Sequence, residues 1–214
     1  MSTVVVVDYG MGNLRSVCKA LEHVAPDAKV LLTHEPEALV AADHVIFPGQ
    51  GAIAGCINAL DSQGLRQALL EAMANKPFLG ICLGLQALYG FSEEGGGVEC
   101  LGILSGKTRR FPDNMKDANG QLLKIPHMGW NQVQQTRAHP LWNGINQDER
   151  FYFVHSYYVE SEDDSAVAGT TEFGLKFTSA AGRDNVFAVQ FHPEKSQHAG
   201  LRLLENFVRW DGQE

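Results

Sequence analysis

Pro77-Phe-Leu-Gly-Ile-Cys82-Leu-Gly-Leu-Gln86 places a short apolar run, Phe78, Leu79 and Ile81, behind a proline and ends it at a cysteine. A bounded apolar run of this length predicts a strand covered on both faces of a parallel sheet. Gly80 and Gly84 stand two residues to either side of Cys82. A sharp strand-to-helix turn brings backbones too close at those positions to accommodate a Cβ. The pattern predicts a nucleophile elbow carrying cysteine in place of serine, with the thiol at the carboxyl edge of the sheet over a helix N-terminus. The free N–H groups and dipole there lower a thiol pKa. The competing reading of the same ten residues is an inert core thiol, a common fate of free cysteine in an apolar strand.

Upstream, Thr3 to Val7 is β-branched throughout and runs into Tyr9-Gly10-Met11-Gly12-Asn13, a strand followed by a glycine turn. Leu14, Val17, Cys18, Leu21 and Val24 then recur at helical spacing. The Gly-x-Gly is not a dinucleotide fingerprint, because Arg15 stands where the third glycine is needed. Lys29–Thr33 and His44–Phe47 read as further strands, separated by a short helix around Glu35 to Leu39. Phe47 enters Pro48-Gly49-Gln50-Gly51-Ala52, a predicted loop whose glycines let a ligand approach bare backbone N–H groups. That loop is either a plain strand-to-helix turn or, beside Cys82, an oxyanion-binding loop. Two helical stretches broken near Gly64 lead back to the elbow.

Downstream, Gly95-Gly96-Gly97 is expected to end the elbow helix, and no long helical stripe follows for about a hundred residues. Arg150–Val154, Ala166–Thr171, Lys176–Ala181 and Val186–Phe191 read as strands, the last two joined as a hairpin by Gly182-Arg183-Asp184-Asn185. A helix closes the chain from about Gln197 to Trp210. The fold class is α/β, with a central mostly parallel to mixed sheet flanked by helices. One domain is expected over residues 1–214, since a chain of 214 residues fills a single core of this class.

Composition narrows the function. Hydrophobic residues at 44% and charged residues at 20% exclude disorder and low complexity. With 17 Lys and Arg against 25 Asp and Glu, the formal charge of −8 opposes a broad grip on nucleic acid or anionic membrane. The four cysteines, Cys18, Cys56, Cys82 and Cys100, have no paired spacing, so neither a disulfide framework nor a zinc site is indicated. Val4 to Val7 meets Asp8 too soon for a signal peptide or membrane span. A cytoplasmic location is expected.

The run Phe187 to Phe191 ends in His192-Pro193-Glu194. In an extended segment residues two apart project to the same side, so the imidazole and the carboxylate can meet. A carboxylate on one ring N–H fixes the tautomer and stabilises the imidazolium, leaving the other nitrogen to take a proton from a thiol. Cys82, His192 and Glu194 therefore form a candidate Cys-His-Glu triad. Of the other histidines, His155 in Phe153-Val-His-Ser-Tyr157 is the best alternative, though it lacks an acidic neighbour.

The elbow with its later Gln86 and the His-Pro-Glu run together resemble the triad-type (class I) glutamine amidotransferases. The resemblance extends nearly end to end through Asp8-Tyr-Gly-Met-Gly-Asn13-Leu, Pro48-Gly-Gln-Gly-Ala52, Pro126-His-Met-Gly-Trp-Asn131 and Val154-His-Ser-Tyr157. Gln50 departs from the small apolar residue expected at that place. The resemblance implies that Cys82 attacks the carboxamide of L-glutamine, that His192 moves the proton to the leaving ammonia, and that water hydrolyses the thioester. Leu83 N–H and the Gly49 to Gly51 loop, Gln50 included, would form the oxyanion hole. Gly51, Gln86, Ser156 and Tyr157 would complete the glutamine pocket, whereas helix geometry alone leaves Gln86 free to lie on a solvated face. No metal or organic cofactor is implied. The implied partner is a (β/α)8-barrel cyclase subunit of histidine biosynthesis that receives the ammonia, forming a heterodimer. Asn13 and Trp130 are candidate contacts, with Trp130 packing on its own domain as the alternative. Other readings are a glutaminase serving a different synthase, a cysteine hydrolase of other acyl substrates, and a non-catalytic regulatory subunit.

Overall fold

A computed structural model of the chain describes residues 2–117 and 119–213. Its first part alternates β1 (Thr3–Val7), α1 (Leu14–Val24), β2 (Lys29–Thr33), α2 (Pro36–Ala41), β3 (His44–Gly49), α3 (Ile53–Ser62), α4 (Leu65–Asn75) and β4 (Phe78–Cys82). α5 (Leu83–Leu88) leaves β4 without an intervening loop and runs straight into β5 (Tyr89–Ser92). The β-rich part follows with β6 (Val98–Glu99), β7 (Leu104–Arg110), β8 (His127–Gln135), β9 (Glu149–His155) and β10 (Tyr157–Ser161). It ends with β11 (Val167–Glu172), β12 (Lys176–Arg183), β13 (Val186–Val189) and α6 (Gln197–Arg209).

The strands join in one mixed sheet in the order β2-β1-β3-β4-β13-β12-β10-β7-β5-β6, with β11, β8 and β9 attached off this path. β1, β2, β3, β4 and β13 run parallel, and β12 reverses direction beside β13. Side-chain alternation sorts the core onto two faces. Val5 and Val7 pack with Leu60 and Leu69 of α3 and α4, whereas Val4 and Val6 pack with Leu21 of α1 and Leu204 and Phe207 of α6. Residues 4–7 are fully buried, which is why β1 reads as an uninterrupted valine run rather than an alternating one. Each such side chain contributes roughly 1.5 kcal/mol or more of transfer free energy.

Three expectations are corrected. The elbow helix stops at Leu88, not at the glycine triplet, because Tyr89 turns extended and pairs with Leu104 of β7. Pro48 and Gly49 belong to β3 rather than to a loop, since they continue the parallel register opposite Ile81 and Cys82. β13 ends at Val189, two residues before Phe191, although Gln190 N–H still donates to Ser179 O on β12 at 2.8 Å. Among the described residues no helix is long and apolar enough to cross a membrane.

Candidate active site

Cys82 ends β4 with φ 56° and ψ −105°, a positive φ at a non-glycine residue. Strain of this kind costs about 1–3 kcal/mol and persists only where the surroundings enforce it. The enforcing contacts are specific. A Cβ at Gly84 would stand 2.0 Å from Phe47 O, and one at Gly80 would stand 2.9 Å from Ala188 Cβ and 3.1 Å from Gly84 O. The elbow therefore packs its backbone directly on β3 and β13. Gly49 is glycine for the same reason, since a Cβ there would meet Tyr9 Oη at 2.3 Å and Leu83 Cβ at 2.7 Å.

The His192 ring reaches the same sheet edge from β13. Its Nδ1–H donates to Glu194 Oε1 at 2.9 Å, and both side chains are 2% exposed. The contact arises differently from the extended alternation expected: Pro193–Lys195 is a single 3-10 turn that folds the carboxylate back onto the ring. The turn is pinned from three sides. His192 N–H donates to Tyr152 O at 2.9 Å, Ser196 Oγ donates to His192 O at 2.6 Å, and the same hydroxyl accepts from Tyr152 N–H at 2.9 Å. A Cβ at Gly200 would lie 1.9 Å from Pro193 O, so α6 is seated against the turn. Nε2 of His192 is buried and lies within reach of the Cys82 sulfur. Burial opposes the imidazolium, but the cysteine sulfur and the Glu194 carboxylate outweigh it and raise the imidazole pKa.

Cys82 and His192 line a cavity of about 430 Å³ with Gln50, Gln86, Ser156 and Tyr157. Gly51 and Leu83 also line it, Gly51 with φ 94°. Gly49 lies behind the wall, beneath Tyr9 and Leu83, and borders a small recess behind His192 and Glu194. Gln86 is buried, not solvated, and its Nε2 donates to Tyr157 O at 3.1 Å. Asn13 is exposed at the start of α1. Trp130 on β8 is 38% exposed while touching Tyr152 edge-on at 6.1 Å, and its strand neighbour Met128 is 62% exposed on the same face.

His155 is not a second catalytic base. Its Nδ1–H donates to Tyr157 O at 2.7 Å, which leaves Nε2 to accept from His127 Nδ1–H at 2.9 Å. His127 Nε2 in turn accepts from Asn131 Nδ2 at 3.2 Å. Both rings are thus held neutral. Burial, then repulsion from His127, pushes His155 down to about 3, and burial pushes His127 down to about 4. These values lie below the ordinary 6.5, so the unfolded chain binds protons that the folded chain refuses. Their stabilising contribution is complete above pH 6.5 and is lost as the pH falls toward 4. Each histidine contributes a slope of roughly 1.4 kcal/mol per pH unit in that window. His192, raised instead, adds nothing to this slope, because it is protonated in both states there. Urea midpoints between pH 7.5 and 4.5 should show the slope, and His127→Phe should make it shallower. An unchanged slope in that variant would refute neutral burial as its source.

Sequence reasoning missed Ser196, His127 and Gln190. Gln190 was within reach, since it precedes His192 by two residues on the same run. Ser196 and His127 each have one partner four residues away, but the contacts that tie them to the site, to Tyr152 and His155, are more than twenty residues distant in sequence and leave no local signal.

The class-I glutamine amidotransferase family model matches residues 5–210. The chain is 59% identical over 211 residues to the imidazole glycerol phosphate synthase subunit HisH of Nitrosospira multiformis, covering 98% of this chain and 99% of that one. It is 57% identical to the subunit of the same name from Nitrosomonas europaea, with the same coverage. Among solved structures, a glutamine amidotransferase superposes with a TM-score of 0.69 at 18% identity, covering 96% of this chain and 97% of that one. PurLQS from Thermotoga maritima gives a TM-score of 0.69 at 17% identity, covering 97% and 98%. These two likenesses speak to the fold.

Proposed function

Since the chain belongs to the class-I glutamine amidotransferases, we propose that it is the glutaminase subunit of an imidazole glycerol phosphate synthase, working as one domain in the cytoplasm. It hydrolyses L-glutamine to glutamate and ammonia, and delivers the ammonia to a cyclase subunit in a heterodimer for histidine biosynthesis. The observation that carries the chemistry is a cysteine on a strained elbow sharing one cavity with His192, whose ring is backed by the buried Glu194.

In this reading Cys82 Sγ attacks the carboxamide carbon, and the developing oxyanion takes N–H donors from Leu83 and from the Gln50–Gly51 segment that follows Gly49 at the end of β3. The imidazole holds the thiol proton and gives it to the leaving nitrogen, so ammonia departs neutral and a thioester remains. Water then enters, His192 takes its proton, and the collapsing tetrahedral adduct returns the sulfur and releases glutamate. Gln86, Ser156 and Tyr157 hold the amino-acid end of the substrate, and Gln50 and Gly51 border it. The partner is a (β/α)8 barrel that covers the cavity mouth, with Asn13 and Trp130 in the contact. No cofactor takes part in these steps.

The test is glutamate release and cyclised product formed by the copurified pair. Turnover of simple esters or peptides without turnover of glutamine would overturn the assignment. Glu194→Gln should lower the glutaminase kcat about ten- to a hundredfold. It loses a charge-assisted hydrogen bond worth roughly 1.5–3 kcal/mol but leaves nucleophile and base in place. An unchanged rate would remove Glu194 from the triad.

A further inference from the structure

Gln190 is fully buried one residue past the end of β13, and no step of the hydrolysis uses it. Its Nε2 donates to Cys82 Sγ at 3.6 Å, an ordinary length for a bond to sulfur, and its Oε1 accepts from Gln86 Nε2 at 3.1 Å. We propose that Gln190 is a positioning residue for the nucleophile, its carboxamide N–H holding the Cys82 sulfur while Gln86 holds its carbonyl. The inference rests on the reading of Cys82 as nucleophile and adds a residue to it.

The orientation of this amide is dictated by chemistry. Tyr157 O is a carbonyl and only accepts, so the Gln86 atom 3.1 Å from it is the amide nitrogen. That nitrogen also faces Gln190, which must therefore present oxygen to Gln86 and nitrogen to the sulfur. His155 Nδ1–H donates to the same Tyr157 O at 2.7 Å, fixing the carbonyl on which the chain of orientation depends. Gln190 cannot swing away from Cys82 without leaving Gln86, and Gln86 and Tyr157 are walls of the cavity. The sulfur is thereby tied to the wall across from it. A neutral N–H donor fixes the direction of the sulfur lone pairs and places no second acidic proton beside the leaving group.

The expected consequence is a nucleophile whose reactivity depends on Gln190. The full-length chain is alkylated with iodoacetamide at a fixed pH of about 7.5, and the rate of modification at Cys82 alone is followed by peptide mass spectrometry. Gln190→Met should slow alkylation at Cys82 roughly tenfold, the scale of one hydrogen bond to a charged group. Gln190→Glu is isosteric and still accepts from Gln86. It should slow alkylation further, because its ionised form offers the sulfur only oxygen. In the complex with the cyclase, Gln190→Glu should lose about tenfold or more in kcat with KM changed less than about threefold.

Folded variants with the wild-type alkylation rate, or a raised KM at unchanged kcat, would overturn the proposal. A second measurement stands if either variant fails to fold: the Gln190 side-chain amide protons, observed by 15N NMR, should exchange with solvent slowly in the wild-type chain and at least tenfold faster in Cys82→Ala. Exchange at the same rate in both would also overturn it. Failure of the underlying reading looks different, namely no glutamate release by the wild-type pair whatever the Gln190 variants do.

Discussion

Cys82→Ala is expected to cut glutamine-dependent product formation by the complex about 10⁴-fold or more, while product formation from added ammonium salts stays at the wild-type level. The two rates separate because the sulfur is needed only to make ammonia, and the partner's chemistry needs only ammonia. The substitution removes one buried atom at a position 7% exposed and leaves Gly80 and Gly84 packed as they are, so the fold and the partner contact are retained. Steady-state rates with glutamine and with ammonium chloride, measured on the same preparation, decide the matter. Parallel loss of both activities would show that Cys82 supports the structure or the assembly instead of the hydrolysis.

The isolated chain is expected to hydrolyse glutamine about two to three orders of magnitude more slowly than the complex with the cyclase occupied by its own substrate. One missing oxyanion donor costs roughly 2.7–4 kcal/mol, which is the whole of that difference. The structure narrows where the switch resides. Gly49 is held in the β3–β4 register and wedged between Tyr9 and Leu83, so its peptide has no room to turn. Gly51, at φ 94°, follows the strand and has the freedom to turn the Gln50–Gly51 peptide so that either its carbonyl or its N–H faces Cys82. The comparison is glutamate production by the chain alone, with the cyclase, and with the cyclase and the cyclase's own substrate. Rates within a factor of a few across the three would mean a preformed hole and no switch at this peptide.

Much of the chemistry was legible from the chain. The elbow can be read because its requirements are local: two glycines two residues from a cysteine, behind a buried strand, leave few other backbones available. Phe47 O beside Gly84 supplies the steric reason. His192 and Glu194 were equally legible, although they meet through a 3-10 turn and not an extended run, since residues two apart can meet in either conformation. The same locality explains the errors. A glycine triplet is a strong helix stop, but α5 had already ended at Leu88 because Tyr89 finds a strand partner in Leu104, fifteen positions further along. Pro48 reads as a loop residue until its neighbour Ile81 is known.

By itself, then, the sequence determined the succession of the first four strands along the chain, the cysteine elbow and the meeting of His192 with Glu194, because each is encoded within a few residues of backbone. Only the tertiary structure decided what surrounds them. The pairing of residues 89–189 into a mixed sheet, the bond from Tyr152 N–H to Ser196 beside the His192 turn, and the line from His127 through His155, Tyr157 and Gln86 to Gln190 and the sulfur all bring distant segments together. Hydrogen bonds between such segments depend on strand register and on which face a side chain takes in the folded sheet, and no local pattern of residue types carries that information.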